Sequence, residues 1–231
     1  MNFFTHARRY LNDPYLVAGT AIPDWLSVLD RRVRARSQSA ATLIQDPDPR
    51  VVSLAKGIIQ HHYDDGWFHQ TEAFYQISGS IARQLKTVLG PDDSMRPSFV
   101  GHISLELLLD DVLIQSAPHQ LDEYYAILQS LDPELIERTI TRISKQPADR
   151  LAALIPRFIT ERFLYDYATN ERLVWRINHV LKRVGLERVP TDSLEWLEYG
   201  RHAVRERISD LLAGEEDELA AHRMRGNANA E

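Results

Sequence analysis

The chain is expected to be all-α, a single helical domain of about ten helices, on three observations. Apolar residues recur mostly at three- and four-residue spacing, while strand-like alternation is scarce. Glycine and proline number only 10 and 11 in 231 residues, which leaves long uninterrupted runs. Several of those runs are preceded by Asp-Pro steps, which pair a capping carboxylate with a proline suited to the first helical turn.

Taken in order, Asp13-Pro14 opens a helix over 14–22. Pro23 predicts a break after Ile22, with Asp24 capping a second helix over 24–35. Asp48-Pro49 opens a helix over 49–64, with Leu54, Ile58 and Ile59 on its apolar face, and another is expected over 67–88. Gly90-Pro91-Asp92-Asp93-Ser94 reads as a loop before 98–115, where Leu105, Leu108, Leu109, Val112 and Leu113 form an apolar set. Helices over 118–130 and 132–144 follow, the latter introduced by Asp132-Pro133. Leu151, Leu154, Ile155, Phe158 and Ile159 predict a helix over 147–167, and Leu173, Ile177, Val180 and Leu181 one over 169–185. Val189-Pro190-Thr191-Asp192 leads into the last, over 191–213. No internal repeat or linker interrupts this order, so residues 1–213 read as one domain. From Gly214 the chain turns small and charged and is expected to be a flexible tail over 214–231.

Composition narrows the function classes. An apolar share of 44% supplies a core without help from cross-links. The absence of cysteine excludes a disulfide framework and a Cys-ligated zinc site. A net charge of -6 gives no support to nucleic-acid or anionic-membrane binding. No run reaches the roughly 18 apolar residues of a transmembrane helix. The opening Met-Asn-Phe-Phe-Thr-His also lacks the basic-then-apolar pattern of a signal segment. A cytoplasmic protein is the expectation; oligomeric state is not legible.

Chemistry concentrates in two polar ladders. On a helix, His61, Asp65 and His69 fall at i, i+4 and i+8, each about 40° round from the last. His102, Glu106 and Asp110 repeat the spacing inside an apolar helix, where unpaired charge is costly. Imidazoles and carboxylates at helical spacing are what a divalent-metal site inside a helical bundle requires. The alternative is a set of solvated pairs. Spacing leaves open which member of His61/His62, Asp64/Asp65 and Asp110/Asp111 faces inward. His119, His179, His202 and His222 have no such company and read as surface or satisfied core residues. Tyr63, Trp67, Tyr75, Tyr165 and Tyr167 read as packing.

The opening Met1-Asn2-Phe3-Phe4-Thr5-His6, the stretch Gly19 to Asp24, and Gly57-Ile58-Ile59-Gln60-His61-His62-Tyr63-Asp64-Asp65 together resemble the acyl carrier protein phosphodiesterase family. A looser similarity runs through Glu106, Asp110-Asp111, Tyr167, Leu173, Ile177, Leu181 and Arg183. The resemblance implies a helical bundle like that of HD-domain phosphohydrolases and hydrolysis of the phosphodiester joining phosphopantetheine to a carrier-protein serine. It also implies a divalent metal, manganese first, with zinc, iron or magnesium as alternatives. It adds His6 and Asp24 to the candidate set. The expected metal ligands are therefore His6, Asp24, His61, Asp65, His69, His102, Glu106 and Asp110, with Asp24 and Asp65 as catalytic carboxylates. Acyl carrier protein is the implied partner.

The chain also departs from that family. His62 and Tyr63 stand where the family has arginines, and Asp111 where it has the histidine of an Asp-His pair. The interval from Asp24 to His61 is longer and carries Arg31, Arg32, Arg34 and Arg36. That run, or Arg157, Arg162, Arg172, Arg176, Lys182 and Arg183, would suit an acidic partner; the plainer reading is a solvated helix face. Two further functions compete with the phosphodiesterase. One is a helical binding protein that has lost the activity, and the other is a hydrolase like the zinc-dependent phospholipases C.

Overall fold

Helices account for all the regular structure among the described residues, as the three- and four-residue periodicity requires. The computed structural model describes residues 1–89, 96–216 and 219–220; the loop expected at 90–94 and His222 lie outside them. Among the described residues there are twelve α-helices and one 3-10 turn, and no helix there is long and apolar enough to cross a membrane. The chain divides into two compact units, each with its own core.

One unit comprises the described residues within 3–66, 118–162 and 215–220. Helices α1 (Phe3–Ala7) and α2 (Pro14–Leu29) pack on each other, followed by α3 (Ser37–Ala41) and α4 (Pro49–Phe68), whose first 18 residues belong here. Helices α7 (Pro118–Leu128), α8 (Pro133–Ile143) and α9 (Leu151–Glu161) complete it. An aromatic cluster forms its centre: Phe158 lies 5.0 Å from Phe3 and 5.3 Å from Trp25, and Phe4 meets Tyr124 edge-on. The expected caps are present. Asp13 accepts from the Tyr15 and Leu16 amides, Asp48 from Arg50, and Asp132 from Leu135.

Two expectations fail in this unit. Helix α2 runs through Pro23, so Asp24 sits inside a helix and does not cap one. Proline deprives the Gly19 carbonyl of its donor at a cost of about 3 kcal/mol. Burial of Trp25 and Leu26 beyond it is worth roughly 1.5–3 kcal/mol each, which offsets the loss. The second helix also ends at Leu29 and not near 35. Val33 and Ala35 are buried while Arg32, Arg34 and Arg36 are exposed, so residues 32–36 alternate with the two-residue period of extended chain. The tail expected from 214 is partly engaged: Arg8 pairs with Glu215, and the Ala220 amide donates to Gln60 at 2.8 Å.

The other unit comprises the described residues within 1–2, 67–117 and 163–214. Helix α5 (Glu72–Leu89), α6 (Pro97–Ser116), a 3-10 turn (Phe163–Ala168), α10 (Asn170–Arg183), α11 (Glu195–Glu206) and α12 (Ile208–Leu211) surround one another with α6 at the centre. Helix α6 is buried on nearly every face, and both Asp110 and Asp111 are among its buried residues. Gly101 lets α5 and α6 approach backbone to backbone, since a Cβ there would fall 2.4 Å from the Ser78 carbonyl oxygen. The helix expected over 147–167 is broken at Arg162, whose φ of 44° ends α9 before the 3-10 turn. The helix expected over 67–88 is likewise broken. Helix α4 continues through Gly66 to Phe68, and a turn at His69 and Gln70 precedes α5.

Candidate metal centre

The first cluster grows from the crossing of α2 and α4. A Cβ on Gly19 would fall 2.2 Å from the Leu54 carbonyl oxygen, and one on Gly57 2.1 Å from that of Leu16. Only glycine at both positions lets the two backbones meet there. One turn beyond Gly57 stands His61, and one residue beyond Gly19 stands Thr20. The crossing therefore brings the His61 Nδ1 to 2.8 Å from the Thr20 carbonyl oxygen. A carbonyl can only accept, so Nδ1 carries a proton, and in the neutral ring Nε2 is the nitrogen that offers a lone pair.

His6, fully buried on α1, is held in a parallel way. Its Nδ1 lies 3.2 Å from Asp64 Oδ2, and its ring stacks on His61 with centroids 4.2 Å apart. Asp64 is itself positioned, because Gln60 Nε2 donates to its other oxygen at 2.8 Å. His6 Nε2 is buried without a hydrogen-bond partner among the described residues. Both Nε2 atoms face Asp65, His6 at 3.4 Å from Oδ1 and His61 at 3.4 Å from Oδ2. Asp24 completes the surroundings from α2, with an enclosed Oδ2 that has no hydrogen-bond partner among the described residues.

The electrostatics follow from this crowding. Burial pulls the His6 imidazole down, but the Asp64 and Asp65 carboxylates more than offset it and raise its pKa to about 9. Burial pushes Asp65 up, yet His6 and His61 hold its carboxyl well below the usual carboxylate range. Asp24 is raised by burial, with His61 and His6 opposing.

This donor set fits a divalent ion. The ligand atoms of His6, His61 and Asp65 lie within 4.8 Å of one another. Around an ion with bonds of about 2.0–2.2 Å, neighbouring donors stand roughly 2.9–3.5 Å apart, so the 3.4 Å gaps suit a coordination shell better than hydrogen bonds. Each imidazole has its other nitrogen tied by a carboxylate or carbonyl, the arrangement that orients a metal-binding histidine.

A second cluster lies in the other unit and draws on both ladders. His69, in the turn after α4, reaches Glu106 Oε1 at 2.9 Å, and His102, one turn before Glu106 on α6, reaches the same oxygen at 3.3 Å. The amino group of Met1 lies 3.2 Å from it as well. Burial would raise Glu106, but the Met1 ammonium, His102 and His69 bring it well below the usual carboxylate range.

The expected site residues thus separate. His6, His61 and Asp65 come together with Asp24 beside them; His69, His102 and Glu106 come together elsewhere in the fold. Asp110 joins neither group. It accepts from Asn2 Nδ2 at 2.9 Å, and that amide also donates to the Tyr167 hydroxyl. Asp111 is taken by Arg201 at 2.6 Å. The adjacent pair on α4 divides its labour, with Asp65 facing both Nε2 atoms and Asp64 orienting His6. Spacing left the choice between Asp64 and Asp65 open and did not nominate Gln60, although the four-residue step from Gln60 to Asp64 was a readable signal.

His62 points away, to the Ala35 carbonyl at 2.7 Å, and burial lowers its pKa. It pins the 32–36 segment to α4 and helps line a cleft of about 200 Å³. Pro23, Leu26 and Val33 give that cleft an apolar floor, and Arg34 and Arg36 stand at it without an ion-pair partner among the described residues. The other arginine set is different: Arg157 pairs with Glu161, Arg162 with Asp122, and Arg172 and Arg176 with Asp166. His119, His179 and His202 are exposed.

Compared with protein-family models, curated proteins and solved structures, the chain has no significant match.

Proposed function

We propose that the chain is a divalent-metal-dependent phosphodiester hydrolase, with the ion held by His6, His61 and Asp65. The observation that carries this is the pair of buried imidazoles whose Nδ1 atoms are engaged and whose Nε2 atoms converge on one carboxylate. A bound divalent ion supplies Lewis acidity toward phosphoryl oxygens and toward water. Manganese is the first candidate and zinc, iron or magnesium the alternatives, since a mixed nitrogen and oxygen set accepts all of them.

The chain's own groups supply the rest. Asp24, whose carboxyl is pushed toward the protonated form by burial, is suited to hold or release a proton at Oδ2. Arg34 and Arg36 at the cleft are suited to an anionic ester, and the apolar floor to an uncharged arm attached to it. The resemblance to acyl carrier protein phosphodiesterases points to phosphopantetheine on a carrier protein as that ester. An acidic carrier protein also suits arginines that have no ion-pair partner among the described residues.

A second reading is a metal-holding binding protein without turnover. It is favoured by Asp111, which stands in place of a family histidine and is already engaged by Arg201.

The test begins with elemental analysis of protein purified without added metal. Hydrolysis of bis(p-nitrophenyl) phosphate, phosphopantetheinylated carrier protein and phosphatidylcholine is then measured in manganese. The hydrolase reading expects bound metal and turnover of a phosphodiester that Asp65→Asn abolishes. Turnover of phosphatidylcholine alone would move the assignment to a phospholipase. Metal without turnover would favour the binding protein, and neither metal nor turnover would end the proposal.

A further inference from the structure

The His69, His102 and Glu106 cluster does not belong to the centre just described, and its construction points to a ligand of its own. Three features set it apart from a surface hydrogen-bond trio.

The first is convergence. Both imidazoles aim Nε2 at a single oxygen, Glu106 Oε1, and the three ligand atoms lie within 4.8 Å of one another. His102, at 3.3 Å, is beyond the usual length of a charge-assisted bond but within the spacing of neighbouring donors around a metal.

The second is preorganisation. The two imidazole centroids are 4.9 Å apart, and each ring stands edge-to-face against Phe74 at 4.9 Å. Phe74 is buried, and the Gly101 contact fixes α6 against α5 one residue before His102. The rings are therefore held before any ion arrives, so little ordering is left for binding to impose.

The third is access. His69 and His102 are partly exposed while Glu106 is mostly covered, which leaves an approach from solvent on the imidazole side; the Met1 ammonium, 3.2 Å from Glu106 Oε1, is the cation that an incoming ion would displace. Two imidazoles and one carboxylate form a donor set used by zinc in catalytic sites.

We infer that His69, His102 and Glu106 form a second divalent-metal site, of zinc-binding character, distinct from the one at His6, His61 and Asp65. The first ladder would then divide between two ions, with His61 and Asp65 at one and His69 at the other, where His102 and Glu106 of the second ladder complete the set.

The experiment titrates the chelator-stripped full chain with zinc alone by calorimetry, and with cobalt to read d–d absorption. Wild type is expected to take two equivalents. His102→Ala, and separately His69→Gln in the exposed turn, should each lose one equivalent while thermal melting stays cooperative. His6→Ala should lose the other and leave the His69 group intact. Were wild type to bind one equivalent that vanishes in His102→Ala, the site would stand and the hydrolytic centre would be the reading that failed. Retention of the wild-type stoichiometry and cobalt spectrum in both His102→Ala and His69→Gln would overturn the inference.

Discussion

Asp64 Oδ2 lies 3.2 Å from His6 Nδ1, and this contact leaves the opposite nitrogen of the same ring facing Asp65 at 3.4 Å. One carboxylate orients the imidazole and its neighbour in sequence meets it.

Asp64→Asn should therefore weaken metal binding without removing a ligand. An amide holds the ring less firmly and makes its nitrogen less basic. Loss of such an outer partner typically costs about 10–100-fold in metal affinity. Competition with a calibrated chelator measures it. An unchanged affinity in a folded variant would deny Asp64 this role.

The pH dependence of the metal-free protein follows from His6. Its folded pKa, about 9, lies above the ordinary value of 6.5. The stabilisation from its charged form is fully present below about 6.5 and is lost as the pH rises through about 9. Melting temperature of chelator-treated protein should fall across that window, and His6→Gln should flatten the profile. Ion and proton compete for Nε2, so metal affinity should rise with pH over the same interval.

Gly57→Ala tests the helix crossing. The added methyl would lie 2.1 Å from the Leu16 carbonyl oxygen, so the two backbones must separate. Overpacking of this kind costs about 1–3 kcal/mol, which for a chain of this length lowers the melting temperature by roughly 2–12 °C. The His61–Thr20 hydrogen bond crosses at the same place, so metal affinity should fall together with stability. Gly66→Ala, at a position with nothing within 4 Å, is the matched control.

Arg201→Ala should be the most destabilising of these changes. Arg201 holds Asp111 at 2.6 Å and also reaches Asn170 and the Tyr167 carbonyl. Asp111 is only 1% exposed, so removing its partner strands a buried charge at a cost of about 3–5 kcal/mol. Chemical denaturation measures the loss, and the pair Arg201→Met with Asp111→Leu should recover much of it. Metal stoichiometry should not change, because Asp111 belongs to neither cluster.

What could be read in advance was local. The helix starts at Pro14, Pro49 and Pro133 were announced by a carboxylate before a proline, and each cap is made within three residues of itself. His61–Asp65 and His102–Glu106 were legible for the same reason: four residues on a helix return to nearly the same face whatever surrounds it. The arginine segment was misread because Val33 and Ala35 repeat every second residue over too short a span to compete with the helical pattern on either side.

Which ladders' members meet was decided by the tertiary structure. His69 leaves the His61 ladder because helix α4 ends at Phe68, and the turn hands it to Glu106 on α6. His6 reaches His61 only because α1 is buried against α2 and two glycines let α2 cross α4. Asp110 leaves the ladder for Asn2, and Asp111 beside it pairs with Arg201, partners 108 and 90 residues away along the chain. Periodicity along a helix is set by backbone geometry and so can be read from the sequence. Convergence between helices depends on crossings and turns that bring distant residues together, and only the folded chain supplies those.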